Sequence, residues 1–382
     1  MTSLANRAAI CGIGAAPFQK KSTRSNLAMA VEAIKYAIED AGLPLDAVDG
    51  VISHVFDPIP EREIVNCFGW KNIRHFCRSP YGSSTSTVGM AAMAVALGQA
   101  NYCVAFRSLS GRMGDGPLSE SIAGEQSFYQ PYGMRAPAHW FAVMAQRYLH
   151  DYHADPRAFG WIAVASRRHG ATNPRAINFG MPITIDDHQS SRIVASPLRL
   201  LDCTPNTEGA VAILVTTPER ARALRQRPVY VREYVQGTGH EIEHGTSYNR
   251  RDMIVPEETQ AMAREMWSAT GLSPKDISFL QVYDHFTSSV LMAIEGWGFC
   301  GLGEGPAFVE AATRITLGGA LPLNTGGGHL GEGYLQLMGH IAESVRQLRG
   351  QAANQVPHAK LGLVTAGAGL PSSSMLLASE SI

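Results

Sequence analysis

The chain has 382 residues, of which 32 are basic, 33 are acidic and only 17% are charged. A chain of this length buries a large hydrophobic core and usually forms two lobes, which excludes a disordered protein and a small disulfide-stapled domain. The near-zero net charge and the lack of any cluster of lysine and arginine argue against nucleic acid or an anionic membrane surface as a partner.

The cysteines are scattered singly along the chain, at Cys11, Cys67, Cys77, Cys103, Cys203 and Cys300. No C-x-x-C pair and no histidine at ligand spacing accompanies them, which is typical of reduced intracellular thiols and argues against a metal site or a disulfide framework. The sequence contains no signal-peptide pattern and no apolar run of about 18 residues. We therefore expect a soluble, cytoplasmic protein without a bound metal and without a membrane segment.

The predicted elements of the first part of the chain alternate between strands and helices. In chain order they are a strand at 8–15, a helix at 26–41, a strand at 50–55, a helix at 83–97 and a strand at 102–106. Gly42 is a natural C-cap for the first helix, and Tyr81 stands just before the second. This order is typical of a strand–helix–strand unit.

Residues 111–204 interrupt this pattern with helices of their own at 140–152 and 156–169, and a strand at 210–216 and an arginine-rich helix at 218–227 follow. We interpret the interruption as a loop domain that covers one face, because insertions of this kind usually carry substrate contacts. It contains aromatic residues that favour an apolar wall: Phe128, Tyr129, Tyr132, Trp140 and Phe141.

The same order of elements returns in the second part of the chain. A helix at 260–270 and a strand at 278–283 repeat the first pair, and a helix at 335–348, just after Tyr334, leads into a strand at 361–365. Two copies of one unit predict an α/β protein with two mixed sheets around shared central helices, layered α/β/α/β/α. The predicted units are an N-terminal half of residues 1–110 and 205–225, a loop domain of 111–204 and a C-terminal half of 226–382.

Four segments carry a resemblance to a known superfamily. They are Tyr81-Gly82-Ser83-Ser84, Asp202-Cys203-Thr204 with Glu208-Gly209-Ala210, Tyr283-Asp284-His285-Phe286, and Asn324-Thr325-Gly326-Gly327-Gly328-His329-Leu330-Gly331-Glu332-Gly333-Tyr334. Together with the internal repeat, they resemble the thiolase superfamily, in particular the sterol-carrier type also called lipid-transfer proteins, over nearly the whole chain. The resemblance implies a thiolase-like fold and an acyl-CoA site.

The positions that carry acyl-transfer chemistry in thiolases hold other residues here. Tyr81 stands where the resemblance places the nucleophilic cysteine, and Tyr283 and Tyr334 each stand in place of a histidine. The segment 365–369, which matches the last catalytic cysteine turn, contains no cysteine. A phenol has a reference pKa of about 10 and is a poor acyl carrier, so the sequence argues against Claisen thiolysis.

A retro-aldol cleavage passes through the same thioester enolate but needs no covalent carrier. It requires a base for the β-hydroxyl proton, donors for the thioester oxyanion and an acid that protonates the enolate. Tyr283 and Tyr334 are the predicted acid–base pair, with the assignment of acid and base left open between them. Asp284 is the predicted capping or orienting residue beside them.

Further candidates surround this pair. Tyr81 acts either as a third phenol or as a plug that fills the vacated cysteine pocket. Gly328 and Gly367 are predicted backbone donors to an oxyanion, with tight-turn geometry as the alternative explanation. His285 and His329 lie in the same loops as the tyrosines and are predicted to contact the substrate or to serve as structural donors.

The tyrosine substitutions resemble the steroid side-chain aldolases of bacterial sterol and bile-acid catabolism. This resemblance implies a cofactor-free carbon–carbon lyase that cleaves a 17-hydroxysteroid side-chain CoA thioester to a 17-ketosteroid and a short acyl-CoA such as propionyl-CoA. It also implies a homodimer joined by a small OB-fold and zinc-ribbon partner protein in a heterotetramer. The competing hypotheses are a non-catalytic subunit that binds acyl-CoA or lipid, and a residual thiolase or acyltransferase.

Overall fold

The computed structural model describes residues 4–111, 126–241, 248–366 and 372–381. The strands in these residues are β1 (Ala9–Gln19), β2 (Gly50–Ser53), β3 (His75–Arg78), β4 (Tyr102–Leu109), β5 (Ile193–Ala195), β6 (Leu198–Arg199), β7 (Glu208–Thr216), β8 (Val229–Gly237), β9 (Phe279–Val282), β10 (Leu361–Thr365) and β11 (Ser372–Ala378).

The helices in the same residues are α1 (Asn26–Ala41), α2 (Glu61–Phe68), α3 (Ser83–Ala96), α4 (Gln126–Tyr129), α5 (Pro137–Asp151), α6 (Arg157–Thr172), α7 (Ile185–Ser190), α8 (Pro218–Arg222), α9 (Glu257–Thr270), α10 (Thr287–Gly296), α11 (Gly305–Val309), α12 (Gly328–Gly331) and α13 (Met338–Arg349). None of them is long and apolar enough to cross a membrane.

The large sheet shows the internal repeat directly. Its nine strands run in the order β3-β2-β4-β7-β1-β8-β11-β10-β9, so the first half contributes one side and the second half the other. The halves meet where β1 pairs with β8 at only two positions, Ala9 with Tyr230 and Ile10 with Val229. The predicted mixed α/β fold is confirmed, and its two sets of strands are continuous across this short pairing.

The pairing within each half follows one pattern. β2 runs parallel to β4, with Gly50 opposite Cys103, and β9 runs parallel to β10, with Phe279 opposite Gly362. In both halves the next strand is antiparallel, β7 beside β4 and β11 beside β10. The equivalent strand ends of the two halves therefore lie at equivalent places in the sheet.

Two apolar helices are shared by the halves. Val88 and Val95 of α3 and Ile341 and Val345 of α13 belong to one buried cluster, which also contains side chains of β7, β8 and β11. On the opposite face of the first half, α1 packs on β1 and β7 in a second cluster. Burial of α3 on most faces explains why its sequence is almost uniformly small or apolar, whereas α13, which is buried as well, also contains His340, Glu343 and Gln347.

The repeated helices differ at their starts. The sequence predicts the last long helix from residue 335, but α13 begins at Met338 because Gln336 and Leu337 have left-handed backbones, with φ of 47° and 74°.

The helix predicted at 218–227 is shorter than expected and ends at Arg222. Arg225 lies beyond this helix and donates to the Glu39 carbonyl at 2.9 Å, so it contacts the end of α1.

Candidate active site

Tyr283 and Tyr334 reach the site from two different backbone positions. Tyr283 directly follows β9, and its N–H donates to the Thr365 carbonyl at 3.0 Å. Tyr334 follows the glycine-rich loop, and its N–H donates to Thr207 Oγ1 at 2.7 Å, while the Thr207 hydroxyl lies 3.2 Å from the Tyr334 carbonyl oxygen. These anchors bring the two phenol oxygens to 2.7 Å from each other.

Burial sets the proton affinity of this pair. Tyr334 is only 3% exposed. Burial raises the pKa of Tyr334 to about 12, although the hydrogen bond from Tyr283 and the positive charge of Arg107 both lower it. Burial raises the pKa of Tyr283 well above its usual value, and the neighbouring Tyr334 oxygen raises it further. Tyr334 is therefore the member of the pair that ionises more readily.

Asp284 holds the start of the glycine-rich helix. Its carboxylate accepts the backbone N–H of His329 at 2.8 Å and that of Leu330 at 3.2 Å, both in α12. Burial raises the pKa of Asp284, but hydrogen bonds and nearby imidazoles outweigh it and leave the pKa below its usual value. The predicted capping role fits this geometry.

Two imidazoles converge on the same carboxylate. His340 Nε2 lies 3.0 Å and His329 Nδ1 lies 3.3 Å from Asp284 Oδ1. His329 Nε2 accepts the N–H of Leu337 at 3.1 Å, so the His329 proton resides on Nδ1, which faces Asp284. The ligand atoms of Asp284, His329 and His340 lie within 4.8 Å of one another. His340 donates to the carboxylate, and His329 turns its protonated Nδ1 toward it, so we interpret the group as a carboxylate between two imidazole N–H groups rather than a set of metal ligands.

The inserted region supports the glycine-rich loop from outside. Asn173 Nδ2 donates to the Gly326 carbonyl at 2.8 Å, and Asn178 Nδ2 donates to the Gly331 carbonyl at 3.1 Å. A side chain at Gly170 of α6 would meet the Gly331 backbone at 3.0 Å, so the two backbones pack closely. The insertion thus shapes the loop that carries Tyr334.

His285 lies in an aromatic cage. Its ring centroid lies 4.3 Å from that of Phe141 and 4.7 Å from that of Tyr283. Burial lowers the pKa of His285 to about 4, so the imidazole is neutral at physiological pH. Of the aromatic residues predicted to line the insertion, Phe141 reaches the site, whereas Phe128 and Tyr132 are 73% and 83% exposed.

The segment 202–204 pairs with the chain beside Tyr283. Thr204 N–H donates to the His285 carbonyl at 3.0 Å, and Thr287 Oγ1 donates to Asp202 Oδ1 at 2.6 Å. Burial raises the pKa of Cys203 to about 12, so this thiol is a weak nucleophile and packs as a small hydrophobic side chain. The motif around Cys203 therefore positions the tyrosine-bearing strand end.

Tyr81 lies at the edge of the site. It is 41% exposed, and its ring packs edge-on against Phe56 with centroids 5.5 Å apart. The following residues turn inward, since Ser83 Oγ donates to the Gln336 carbonyl at 2.8 Å. The structure thus separates the environment of Tyr81 from the buried one of Tyr334.

Of the two glycines predicted as oxyanion donors, Gly328 and Gly367, the structure describes Gly328. Gly328 has a φ of +63°, and an added Cβ would lie 2.3 Å from Asp284 Oδ2, so only glycine fits here. This close approach supports the tight-turn explanation, while the predicted oxyanion role of Gly328 stays a prediction. Gly367 lies outside the described residues.

Two residues beside the tyrosines were not predicted from the sequence. Arg107, 2% exposed on β4, donates from Nε to Gln336 Oε1 at 2.7 Å. Its charge lies opposite the buried carboxylate of Asp57, at 3.5 Å. A single arginine inside the otherwise apolar strand Tyr102–Leu109 is a sequence signal for Arg107, whereas nothing in the sequence distinguishes Gln336.

Comparison with known proteins first identifies the class. A family model described as "Thiolase C-terminal domain-like" matches residues 239–379. The solved structure of an "Ltp2-ChsH2(DUF35) aldolase" superposes with a TM-score of 0.93 at 40% identity, covering 99% of each chain. Fold and sequence together define a thiolase-like protein.

Curated relatives identify the family within that class. A 17-hydroxy-3-oxo-4-pregnene-20-carboxyl-CoA lyase of Mycobacterium tuberculosis is 43% identical over 98% of this chain and 100% of its own length. A steroid side-chain-cleaving aldolase of Thermomonospora curvata is 39% identical over 100% of both. The chain therefore belongs to the family of thiolase-like, steroid side-chain-cleaving aldolases.

Proposed function

We propose that the protein is a lyase that cleaves a β-hydroxyacyl-CoA by a retro-aldol reaction, without a cofactor. The substrate proposed is a 17-hydroxysteroid side-chain CoA thioester, which would give a 17-ketosteroid and a short acyl-CoA such as propionyl-CoA. The observation that carries this proposal is the 2.7 Å contact between the phenol oxygens of Tyr283 and Tyr334. The steroid itself is taken from the printed names of the two curated relatives.

Tyr334 is the proposed base. Arg107 lowers the pKa of both phenols, but the hydrogen bond between the phenols lowers the pKa of Tyr334, whereas that bond and the charge of Asp284 raise the pKa of Tyr283. The phenolate of Tyr334 is therefore the better stabilised. The proton of the substrate β-hydroxyl passes to Tyr334, and the O–H electron pair becomes the carbonyl π bond as the Cα–Cβ bond breaks. The electrons of that bond remain on Cα as the thioester enolate.

Tyr283 is the proposed acid. It donates its proton to Cα of the enolate, which completes the short acyl-CoA. Tyr334 then returns the proton it took from the substrate to Tyr283 across their hydrogen bond, which restores the starting state. The overall reaction therefore consumes neither water nor free CoA.

The remaining predicted residues have proposed roles around this pair. Asp284 orients the start of α12, and Gly328 and Gly367 supply backbone N–H groups to the thioester oxyanion. His285 and His329, both held neutral by burial, serve as hydrogen-bond donors or as walls against the substrate. Tyr81 lines the entrance.

A partner protein belongs to the proposal. The solved relative with 40% identity is named as a complex with ChsH2(DUF35). We propose that this chain forms a homodimer and binds a DUF35-type OB-fold protein in a heterotetramer, and that the reaction takes place in the cytoplasm. The single cysteines, with no pair at disulfide or zinc spacing, support that compartment.

Rates of ketone release from a tertiary β-hydroxyacyl-CoA test the proposal. With the partner present, Tyr283→Phe and Tyr334→Phe should each lower turnover by about two to four orders of magnitude, the usual effect of a positioned proton donor or acceptor. Tyr36→Phe is the matched control, because Tyr36 lies exposed on α1 and bonds Glu32. Full activity in both site variants, or an unchanged substrate with the wild-type complex, would reject the reaction and favour a non-catalytic acyl-CoA-binding subunit.

A further inference from the structure

Leu337 has a backbone conformation that its own side chain disfavours. Its φ is +74°, in the left-handed region, and Gln336 before it has a φ of +47°. Neither residue is a glycine, so this conformation costs free energy and persists only where surrounding contacts impose it. The turn that these two residues form follows the Tyr334–Leu335 segment and directly precedes α13. Contacts from outside the turn must therefore hold it.

Two distant parts of the chain supply these contacts. The Gln336 carbonyl accepts the Ser84 N–H at 3.0 Å and the Ser83 Oγ–H at 2.8 Å, both at the start of α3. The Leu337 N–H donates to Nε2 of His329 at 3.1 Å. Because Leu337 stands directly before the first residue of α13, its N–H has no partner within that helix, and His329 supplies one.

Both ring nitrogens of His329 face other groups of the protein. An Nε2 that accepts the Leu337 N–H carries no proton, so the proton of the neutral ring is on Nδ1. Nδ1 is buried and lies 3.3 Å from Asp284 Oδ1. Burial lowers the pKa of His329 well below its usual value, which agrees with a neutral ring. Since His329 is 0% exposed, its nitrogens serve the protein rather than a substrate.

The His329 ring also packs against both phenols of the site. Its centroid lies 4.9 Å from that of Tyr283, at an interplanar angle of 80°, and 4.8 Å from that of Tyr334, at 48°. On the other side of Tyr334 along the chain, the Tyr334 N–H is fixed by Thr207 Oγ1 at 2.7 Å. Tyr334 is thus held by Thr207 at its own backbone and by His329 at its ring and at the turn that follows.

We propose that His329 is a positioning residue: as the Nδ1–H tautomer it accepts the Leu337 N–H, holds the left-handed turn after Tyr334, and so keeps the Tyr334 phenol within hydrogen-bonding distance of Tyr283. The proposal narrows the role given to His329 above to support of Tyr334, and it rests on the proposed retro-aldol reaction for its catalytic consequence. The tautomer and the turn are properties of the resting protein and are measured without a substrate.

NMR of the full chain labelled with ¹⁵N-histidine tests the tautomer. The His329 resonances are those that disappear in His329→Gln. In the wild type, Nδ1 should carry the proton and Nε2 should be unprotonated. A proton on Nε2 would overturn the proposal, because a protonated ring nitrogen cannot accept the Leu337 N–H.

Two substitutions separate the contacts of the two ring nitrogens. The amide of glutamine reaches the place of Nε2, so His329→Gln can still accept the Leu337 N–H, whereas the shorter amide of asparagine reaches only the place of Nδ1. Hydrogen–deuterium exchange of the Leu337 amide should stay near the wild-type rate in His329→Gln and become about ten- to a hundredfold faster in His329→Asn, the effect of losing one buried hydrogen bond.

His150→Asn is the matched control for these exchange measurements, because the His150 side chain on α5 is 79% exposed. The Leu337 amide should exchange in this variant as it does in the wild type. Equal exchange of that amide in His329→Asn and His329→Gln would contradict the proposal, since only one of the two variants keeps the acceptor.

The kinetic readout separates positioning from contact with the substrate. With the partner present, His329→Asn should lower kcat for cleavage of a tertiary β-hydroxyacyl-CoA by about ten- to a hundredfold with little change in KM, and His329→Gln should recover most of that loss. A rise in KM alone in both variants would overturn the proposal. If the wild-type complex cleaves no β-hydroxyacyl-CoA while tautomer and exchange behave as expected, the reaction is wrong and the support of the turn by His329 stands.

Discussion

The two halves of the sheet end their equivalent strands in the same way but with different chemistry. After β2, His54 donates its N–H to the Phe106 carbonyl at 3.2 Å, and after β9, Tyr283 donates its N–H to the Thr365 carbonyl at 3.0 Å. The His54 side chain then turns to its own loop, where Nδ1 accepts the N–H of Phe56 at 3.1 Å. The Tyr283 side chain instead bonds Tyr334.

The same contrast appears before the shared helices. Tyr81, just before α3, is 41% exposed, whereas Tyr334, which precedes α13, is 3% exposed. The first half nevertheless contributes Arg107, whose positive charge acts on both phenols and lies 3.5 Å from the Asp57 carboxylate. A duplicated framework thus fixes where strands and helices end, while the reactive pair lies in one copy and its supporting charge in the other.

The most severe test of this comparison is Asp284→Asn in the second half. The Asp284 carboxylate accepts two backbone N–H groups and the His340 imidazole, and His329 Nδ1 lies 3.3 Å away. An amide has only one acceptor oxygen and cannot replace all of these contacts. We expect a loss of about 1–3 kcal/mol in the free energy of unfolding and a fall of about ten- to a hundredfold in kcat.

Thermal denaturation and steady-state kinetics measure the two effects. Asp46→Asn, at an exposed position in the first half, is the control and should behave as the wild type. Unchanged kcat in Asp284→Asn would mean that the orientation of α12 does not matter for the reaction.

A smaller effect is expected at Tyr81 in the first half. Because this phenol is partly exposed and lies against Phe56, Tyr81→Phe should lower kcat/KM by less than about tenfold, well below the effect of a positioned proton donor. Steady-state kinetics on the same substrate measure it. A loss as large as that of Tyr334→Phe would place Tyr81 in the proton-transfer machinery and remove the asymmetry between the halves.

The smallest effect is expected from thiol alkylation. Burial raises the pKa of Cys11, Cys203 and Cys300 to about 12, so their thiolates are scarce at neutral pH. Exposed Cys67 lies on α2 and should react with iodoacetamide without loss of activity. Mass spectrometry of the modified peptides together with activity measures this. Inactivation that parallels modification of Cys203 would instead favour a thiolase-type nucleophile.

Much of this architecture was predictable from the sequence. Apolar spacing and Gly42 define α1 with the bounds that the structure shows, and the repeated helix–strand order predicts the two equivalent halves. The motif positions of Tyr283 and Tyr334 identify them as a pair before any distance is known. Local patterns succeed here because capping and periodicity act over a few residues.

The contacts around Tyr283 and Tyr334 were harder to predict from the sequence. Gln336 and Leu337 adopt a left-handed backbone with no glycine to signal it, because the start of α3 and His329 impose it through tertiary hydrogen bonds. His340 lies among the mixed polar and apolar residues of α13, where nothing local indicates that it faces Asp284. Such residues depend on partners far away in sequence.

The most direct test of the central claim is the fate of the proton at Cα. When the wild-type complex cleaves a tertiary β-hydroxyacyl-CoA in D2O, the short acyl-CoA released early in the reaction should carry one deuterium at Cα, with one equivalent of ketone and no requirement for added CoA. The acid–base account predicts this product pattern and its loss in the Tyr283→Phe, Tyr334→Phe double variant. Released acyl-CoA without deuterium, or cleavage that consumes added CoA, would contradict it.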